Sequence, residues 1–472
     1  MTAQKKSSSR LTRREMLKLS GALGAGSLLA ACAPATTPAP TQPPAPTEAG
    51  APTEAPTAVP TAAPVQGNVV VMYRRGELSE DEEAQFESAN PGITMDVLQD
   101  DFTRFFAMYA AGSPPDLLRV QAPSIPQFLA RKILYDLTPY FDVSTVLKPD
   151  DLGPASKYYA ANGPLDIGSG KIYGMPKDWS PDFSIWIYKP AFETAGIDAP
   201  ADDKPLSYDE IAQLAAKVAV FEGDRVATWG YGYSDGWIDR IWMNMLAEKE
   251  QSLYADSFTK INITGNDEVK KIAQWFYDIA KNNLVANPVN PSPSWNGEDF
   301  TKGTLAMTQW GYWFSGMAES DVTKGHIAMI PGPTWSGVRR NPTMTATGTI
   351  MSAGSQVPDA TWKVFEWYHG LEPSVARAKS GWGVPALKSQ YSLMPTEGDY
   401  RQQVSKALNA ELPYAEASLQ FNPFIGESTV YDTWNKNLDQ ALRGTITFDD
   451  LLKNIENDTN QAIKDGIDRI GG

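Results

Sequence analysis

Short apolar runs alternate with helical patterns at the start of the chain's body, and that alternation constrains the fold more than any other feature. Residues 68–73 form an apolar run that predicts a strand buried on both faces. Residues 79–89 carry Ala84 and Phe86 among acidic residues, in helical spacing behind Leu78. Residues 93–98 alternate and predict a second strand. Residues 102–111 predict a helix that stops at Gly112-Ser113-Pro114-Pro115. Residues 116–120 predict a third strand. Strand–helix–strand units of this length require an α/β layer with mainly parallel strands. Further along, Ser207 with Glu210 three residues later forms a capping box ahead of a helix over 208–218. Helices are expected over 124–131, 269–282, 300–303, 361–371, 373–379 and 448–470. Strands are expected over 172–176, 183–188, 228–233, 305–309 and 327–331. Leu137-Thr138-Pro139-Tyr140 is read as a turn, and Gly168-Ser169-Gly170-Lys171 as a turn before a strand.

The first 67 residues have another character. Lys5, Lys6, Arg10, Arg13 and Arg14 precede an apolar stretch over 17–31 that is too short to span a bilayer. It ends in Leu29-Ala30-Ala31-Cys32, as a lipoprotein export signal does, and Thr12 to Lys18 is similar to a twin-arginine signal with Met16 in place of Phe. Residues 1–32 are therefore expected to be an export signal. Cys32 is the sole cysteine and the expected point of lipidation to the outer face of the cytoplasmic membrane. Residues 33–67 are almost all Pro, Ala, Thr and Gln, which bury too little to offset their ordering entropy. They are expected to be a disordered tether, about 100 Å long if extended at about 3.1 Å per residue. A glycosylated stalk fits the same composition.

Charge and motif content exclude several functions. The chain has 41 basic and 56 acidic residues; setting aside six basic residues and Glu15 in the signal leaves 35 against 55. That surplus of acid argues against nucleic acid, which needs a basic surface to replace counterions. His326 and His369 are the two histidines, and no His, Cys and carboxylate cluster has metal-ligand spacing. There is no phosphate-cradling G-x-x-x-x-G-K loop. A carboxylate pair acting on a glycosidic bond has no local motif, so a glycosidase stays open.

Four ordered segments carry a resemblance. Ala110-Ala111-Gly112-Ser113-Pro114-Pro115-Asp116-Leu117 is the first. Ile187 to Ile197, continued by Pro205-Leu206-Ser207-Tyr208-Asp209-Glu210-Ile211, is the second. Phe300-Thr301-Lys302-Gly303-Thr304-Leu305-Ala306-Met307, with Gly311 and Trp313 after it, is the third. Asp359 to Trp367, then Pro373, then Gly381-Trp382-Gly383-Val384-Pro385-Ala386, is the fourth. In this order they resemble the extracellular solute-binding proteins of carbohydrate ABC importers, from about residue 68 to the end. The resemblance implies an α/β, two-lobed periplasmic-binding-protein-like fold with hinge strands and a ligand cleft. It implies a first lobe of 68–181 and 348–402 and a second of 182–347 and 403–472. It also implies a monomeric receptor without catalysis or cofactor, delivering a sugar or oligosaccharide to a membrane permease.

Sugars offer hydroxyls to planar polar side chains and flat C–H faces to aromatic ones. The chain has 14 Trp, several of them beside loop-forming residues. Loops at the positions of the family's ligand loops supply the candidates. Arg75 and Glu77, with Arg74 and Gly76, follow the first strand; Gln121 and Ser124 follow the third. Trp179 and Asp182, with Asp178 and Ser180, precede the crossing strand, and Asp182 matches the family's ligand-binding acid. Asp235, Trp237, Trp310, Tyr312, Trp313, Trp382 and Tyr431 complete the set, with Trp335 as a further aromatic. Arg74 and Arg75 also suit an acidic ligand, so polyamine, phosphodiester or metal-chelate receptors remain alternatives, as does an adhesin.

Overall fold

An apolar run without alternation must be covered on both sides, and strand Gly67–Tyr73 is. Val69, Val71 and Tyr73 enter one apolar cluster with Phe86, Trp362 and Phe365, while Met72 enters another with Phe105, Leu118 and Phe128. The computed structural model describes residues 64–471. The expected signal, Cys32 and nearly all of the tether lie outside the described residues. Gly67, expected as the tether's end, already pairs with Ile93.

Gly67–Tyr73 runs parallel to Ile93–Gln99 and to Leu117–Val120. The intervening helices begin where side-chain caps satisfy free N–H groups. Ser79 and Glu82 form a capping box at helix Glu80–Ala89, and Asp101 caps helix Phe102–Ala110. Two later strands, Gly348–Met351 and Gly174–Pro176, extend the sheet antiparallel to their neighbours, giving five strands in all. Their pairing needs glycine. A Cβ on Gly348 would lie 2.1 Å from the Met175 carbonyl oxygen, and one on Gly174 would lie 2.3 Å from that of Thr349.

A second sheet centres on Ile185–Tyr188, flanked antiparallel by Met307–Gln309 and Ile327–Ile330. Ile185, Trp186 and Ile187 are buried. Helix Tyr208–Val218 carries the expected Ser207/Glu210 capping box. Helices Ile238–Ala247, Asp267–Lys281, Thr429–Leu442 and Phe448–Gly471 pack into the same core through Trp242, Phe276, Trp434 and Leu451 respectively. The chain passes from the first sheet to the second through 177–184 and returns through 331–347.

Several local expectations are corrected. The 137–140 turn is the start of helix Thr138–Val143, because Pro139 sits in the first turn, where no N–H donor is required. The 168–171 segment lies inside strand Asp166–Ile172, paired with Ala160–Gly163 across register shifts; Gly168 (φ 119°) and Gly170 (φ 99°) supply the left-handed backbone. The 228–233 strand is reduced to bridges from Trp229 to Leu305 and from Gly232 to Thr308. The 300–303 helix starts earlier, at Asn296–Thr301. Among the described residues no helix is long and apolar enough to cross a membrane.

Candidate functional site

The strand Met307–Gln309 ends the second sheet and runs directly into an aromatic loop. Trp310 packs edge-on against Trp237 (centroids 5.4 Å apart), Trp295 (5.7 Å) and Trp313 (5.1 Å). Trp382, from the loop before strand Val384–Pro385, stands 6.5 Å from Trp313. Mutual edge-to-face packing holds these rings stiffly and leaves faces free. The indole N–H groups of Trp310 and Trp313 are buried without a partner. The loop lies this close only because residue 311 is glycine; a Cβ there would sit 2.1 Å from Asp182 Oδ1 and 2.2 Å from Ser180 Oγ.

Opposite the tryptophans stands a charged wall from the first sheet. Arg119 grips Glu77 with two hydrogen bonds, Nε to Oε2 at 2.8 Å and Nη2 to Oε1 at 2.9 Å. Arg74 pairs with Asp100 at 2.9 Å, and Lys177 with Asp178. Burial acts to raise the Glu77 pKa, but Lys177, Arg119 and Arg74 together outweigh it and hold the carboxyl down at about 2. Lys177 Nζ also lies 5.8 Å from the Trp382 ring centre.

The two walls enclose a cavity of about 350 Å³, within the range of small-molecule sites. Its lining contains the candidates Glu77, Gln121, Trp179, Trp237, Trp310, Trp313 and Trp382, with Arg74, Asp178 and Ser180. Arg119, Lys177, Trp295, Met317, Thr345 and Thr347 also line it and were not anticipated. A charged residue inside the apolar run Leu117-Leu118-Arg119-Val120 was the available signal for the first of these.

The other candidates stand elsewhere. Asp182 is fully buried and occupied by its own chain. Its Oδ1 accepts from Ser180 (2.6 Å), and its Oδ2 accepts from Thr343 Oγ1 (2.9 Å) and the Met344 N–H (2.6 Å). It fastens the 341–347 passage to the 177–184 passage and is not among the cavity's lining residues, and burial raises its pKa despite these bonds. Tyr312 points into the core of its short helical turn, fully buried. Arg75 pairs with Glu83 on the surface. Ser124 is buried at the start of helix Ile125–Ala130 and makes no capping bond. Trp335 donates its N–H to Glu268 at 2.7 Å, outside the cavity. Asp235 and Tyr431 border a second cavity of about 250 Å³. Among the described residues, no group of three or more His, Cys, Asp or Glu could hold a metal ion.

Residues 75–370, more than half of the chain, match the family model of the bacterial extracellular solute-binding proteins, and the chain belongs to that family. The family is one of solute-binding receptors, and its members' two-lobed α/β fold is the fold seen here. Among solved structures, an ABC substrate-binding protein of Listeria monocytogenes in complex with cycloalternan is similar at 19% identity, covering 85% of this chain and 100% of that one, with a TM-score of 0.70. Maltose-bound MalE3 of T. maritima is similar at 17% identity over 84% of this chain and 99% of its own, with a TM-score of 0.64. The GacH receptor of Streptomyces glaucescens, solved unliganded and with acarbose, is similar at 16% identity over 85% and 99%, also at 0.64. No curated protein sequence matches the chain significantly.

Proposed function

We propose that the chain is the substrate-binding lipoprotein of an ABC importer, and that it takes a neutral sugar or oligosaccharide in the cavity between Trp310–Trp313 and Arg119–Glu77. The carrying observation is the pairing of those walls. Free indole faces suit the C–H faces of a sugar ring, and fixed ion pairs offer it directional donors and acceptors without net charge. Arg119, Lys177 and Arg74 are each matched by a carboxylate, which disfavours a charged solute such as a phosphodiester or polyamine. Similar proteins solved with cycloalternan, maltose and acarbose support the same class.

In this reading the lobes are 68–181 with 348–402, and 182–347 with 403–472. The ligand draws them together about the 177–184 and 331–347 passages. Acyl chains on Cys32 hold the monomer at the outer face of the cytoplasmic membrane, and the 33–67 tether lets it reach the permease. The receptor performs no catalysis and needs no cofactor.

Thermal unfolding of the purified protein with a panel of mono- and oligosaccharides tests the assignment. Ligand at a hundred times its dissociation constant adds about 2.7 kcal/mol, or about 3 °C for a body of ~400 residues. A shift with one glycan class, and intact glycan recovered afterwards, is expected. Cleaved glycan would make the chain a glycosidase, and a shift only with a charged solute would replace the substrate class.

A further inference from the structure

Arg240, on helix Ile238–Ala247, is fully buried and is not among the residues that line the main cavity. Its neighbours come from four separate parts of the chain. Nη1 donates to the Met344 carbonyl at 3.0 Å and lies 3.5 Å from Gln121 Oε1. Nη2 pairs with Glu427 Oε2 at 2.9 Å, just before helix Thr429–Leu442. The guanidinium carbon stands 5.1 Å from the Trp237 ring centre, a cation–π contact. Gln121 follows strand Leu117–Val120 of the first sheet, and Trp237 packs on Trp310 at the end of the second. One buried cation therefore touches the cavity lining on both sides.

Met344 and the residues after it are held from several directions. Asp182 accepts the Met344 N–H at 2.6 Å while Arg240 donates to its carbonyl. The Thr345 carbonyl accepts from the Ala122 N–H at 2.8 Å, and Thr345 lines the cavity. Ala346 follows with φ 38°, a left-handed backbone that a residue with a Cβ adopts only when its surroundings impose it. The Tyr159 hydroxyl donates to the Ala346 carbonyl at 2.6 Å and helps to impose it. A planar fork of donors serves Met344 and Glu427 at once, and the compact ammonium of a lysine does not reproduce that geometry.

We propose that Arg240 is a positioning residue for glycan recognition: without touching the ligand, it holds Thr345, Gln121 and Trp237 in register across the cavity. This rests on the receptor reading above. The bond to Met344 fixes the passage that presents Thr345. The contacts with Gln121 and Trp237 fix the spacing between the polar wall and the aromatic wall. Without the fork the walls settle at other spacings, and affinity falls because part of the binding free energy goes into restoring the productive one.

Calorimetric titration with the glycan that most raises the wild-type thermal midpoint, alongside urea denaturation, tests the proposal on Arg240→Lys, Arg240→Gln and Glu427→Gln. Glu427→Gln keeps an acceptor for Nη2 and removes only the charge, so it is expected to lower the urea midpoint and leave affinity unchanged. Arg240→Lys and Arg240→Gln are each expected to weaken binding about tenfold. Near-ultraviolet circular dichroism of the ligand-free proteins supplies a spectroscopic readout. The Trp237 signal, taken as the difference from Trp237→Phe, should change in Arg240→Lys and persist in Glu427→Gln. Wild-type affinity in an Arg240 variant that folds overturns the positioning role and leaves the receptor reading standing. So does an affinity loss in Glu427→Gln equal to that of the Arg240 variants, since affinity would then follow stability alone. Failure of both Arg240 variants to fold would make Arg240 a folding residue and overturn the role as well. No binding of any glycan by the wild type overturns both readings.

Discussion

Replacing Arg119 with Met is expected to destabilise the protein by about 3 kcal/mol at neutral pH, since removing one partner strands the other charge in a poorly solvated place. Arg119 keeps 9% and Glu77 15% of side-chain exposure, so little water is available to take over. Lys177 is engaged with Asp178, and Arg74 is half exposed against Asp100. The pH dependence follows from the direction of the Glu77 shift. Its folded-state pKa is depressed from 4.5 to about 2 by Lys177, Arg119 and Arg74 together, so the stability these cations contribute through Glu77, Arg119's share included, is fully present above pH 4.5 and is lost as pH falls toward 2. The stability gap between wild type and Arg119→Met should therefore be wide at pH 7 and narrow by pH 3. Urea denaturation at the two values measures it, and an equal gap at both would mean that Arg119 acts by packing alone.

Trp313→Ala is expected to weaken glycan binding about thirtyfold or more, the scale of a hot-spot aromatic, which is about 2 kcal/mol. The effect on folding should be smaller, because the ring is only half buried, packed edge-to-face with Trp310 and 6.5 Å from Trp382. Trp310→Ala is a less clean test: that ring is nearly buried among three other tryptophans, and its removal would open a void costing several kcal/mol. Trp335→Phe is the control. Its indole bonds to Glu268 away from the cavity, so affinity should not change. Titration by intrinsic fluorescence separates these cases, and equal affinities for wild type and Trp313→Ala would remove this ring from the site.

Local rules explain why some of this was legible in the residues. Gly67–Tyr73 reads as a doubly covered strand because its apolar residues feed two clusters, and Ser207 with Glu210 marks a helix start that depends on four residues only. The Trp310–Trp313 loop stands out as a run of aromatics beside glycine at a strand's end, although Trp310 and Tyr312 are themselves buried and Trp313 only partly so. Asp182 shows where such reasoning stops. Its fate is set by Thr343 and Met344, about 160 residues away, whose N–H and hydroxyl groups consume the carboxylate before any ligand can. Tyr312 lies between two cavity-lining tryptophans, yet the short helical turn points it inward. Lys177 and Trp295 carry no local signature. They reach the cavity through the 177–184 passage and through a Pro- and Ser-rich loop, whose paths are tertiary properties. The helices Ile238–Ala247 and Thr429–Leu442 were also passed over. The first has polar residues on one side, but Asp239, Arg240 and Asn244 are all buried, so its polar side does not face solvent as that of a surface helix does.

The most direct test of the central claim is a crystal structure of the protein with the glycan that most raises its thermal stability. A sugar ring is predicted between Trp313 and Trp382 on one side and the Arg119–Glu77 pair on the other, with its hydroxyls within hydrogen-bonding reach of Arg119, Lys177 or Asp178. Glycan bound away from these residues, with the cavity holding only solvent, would contradict the account.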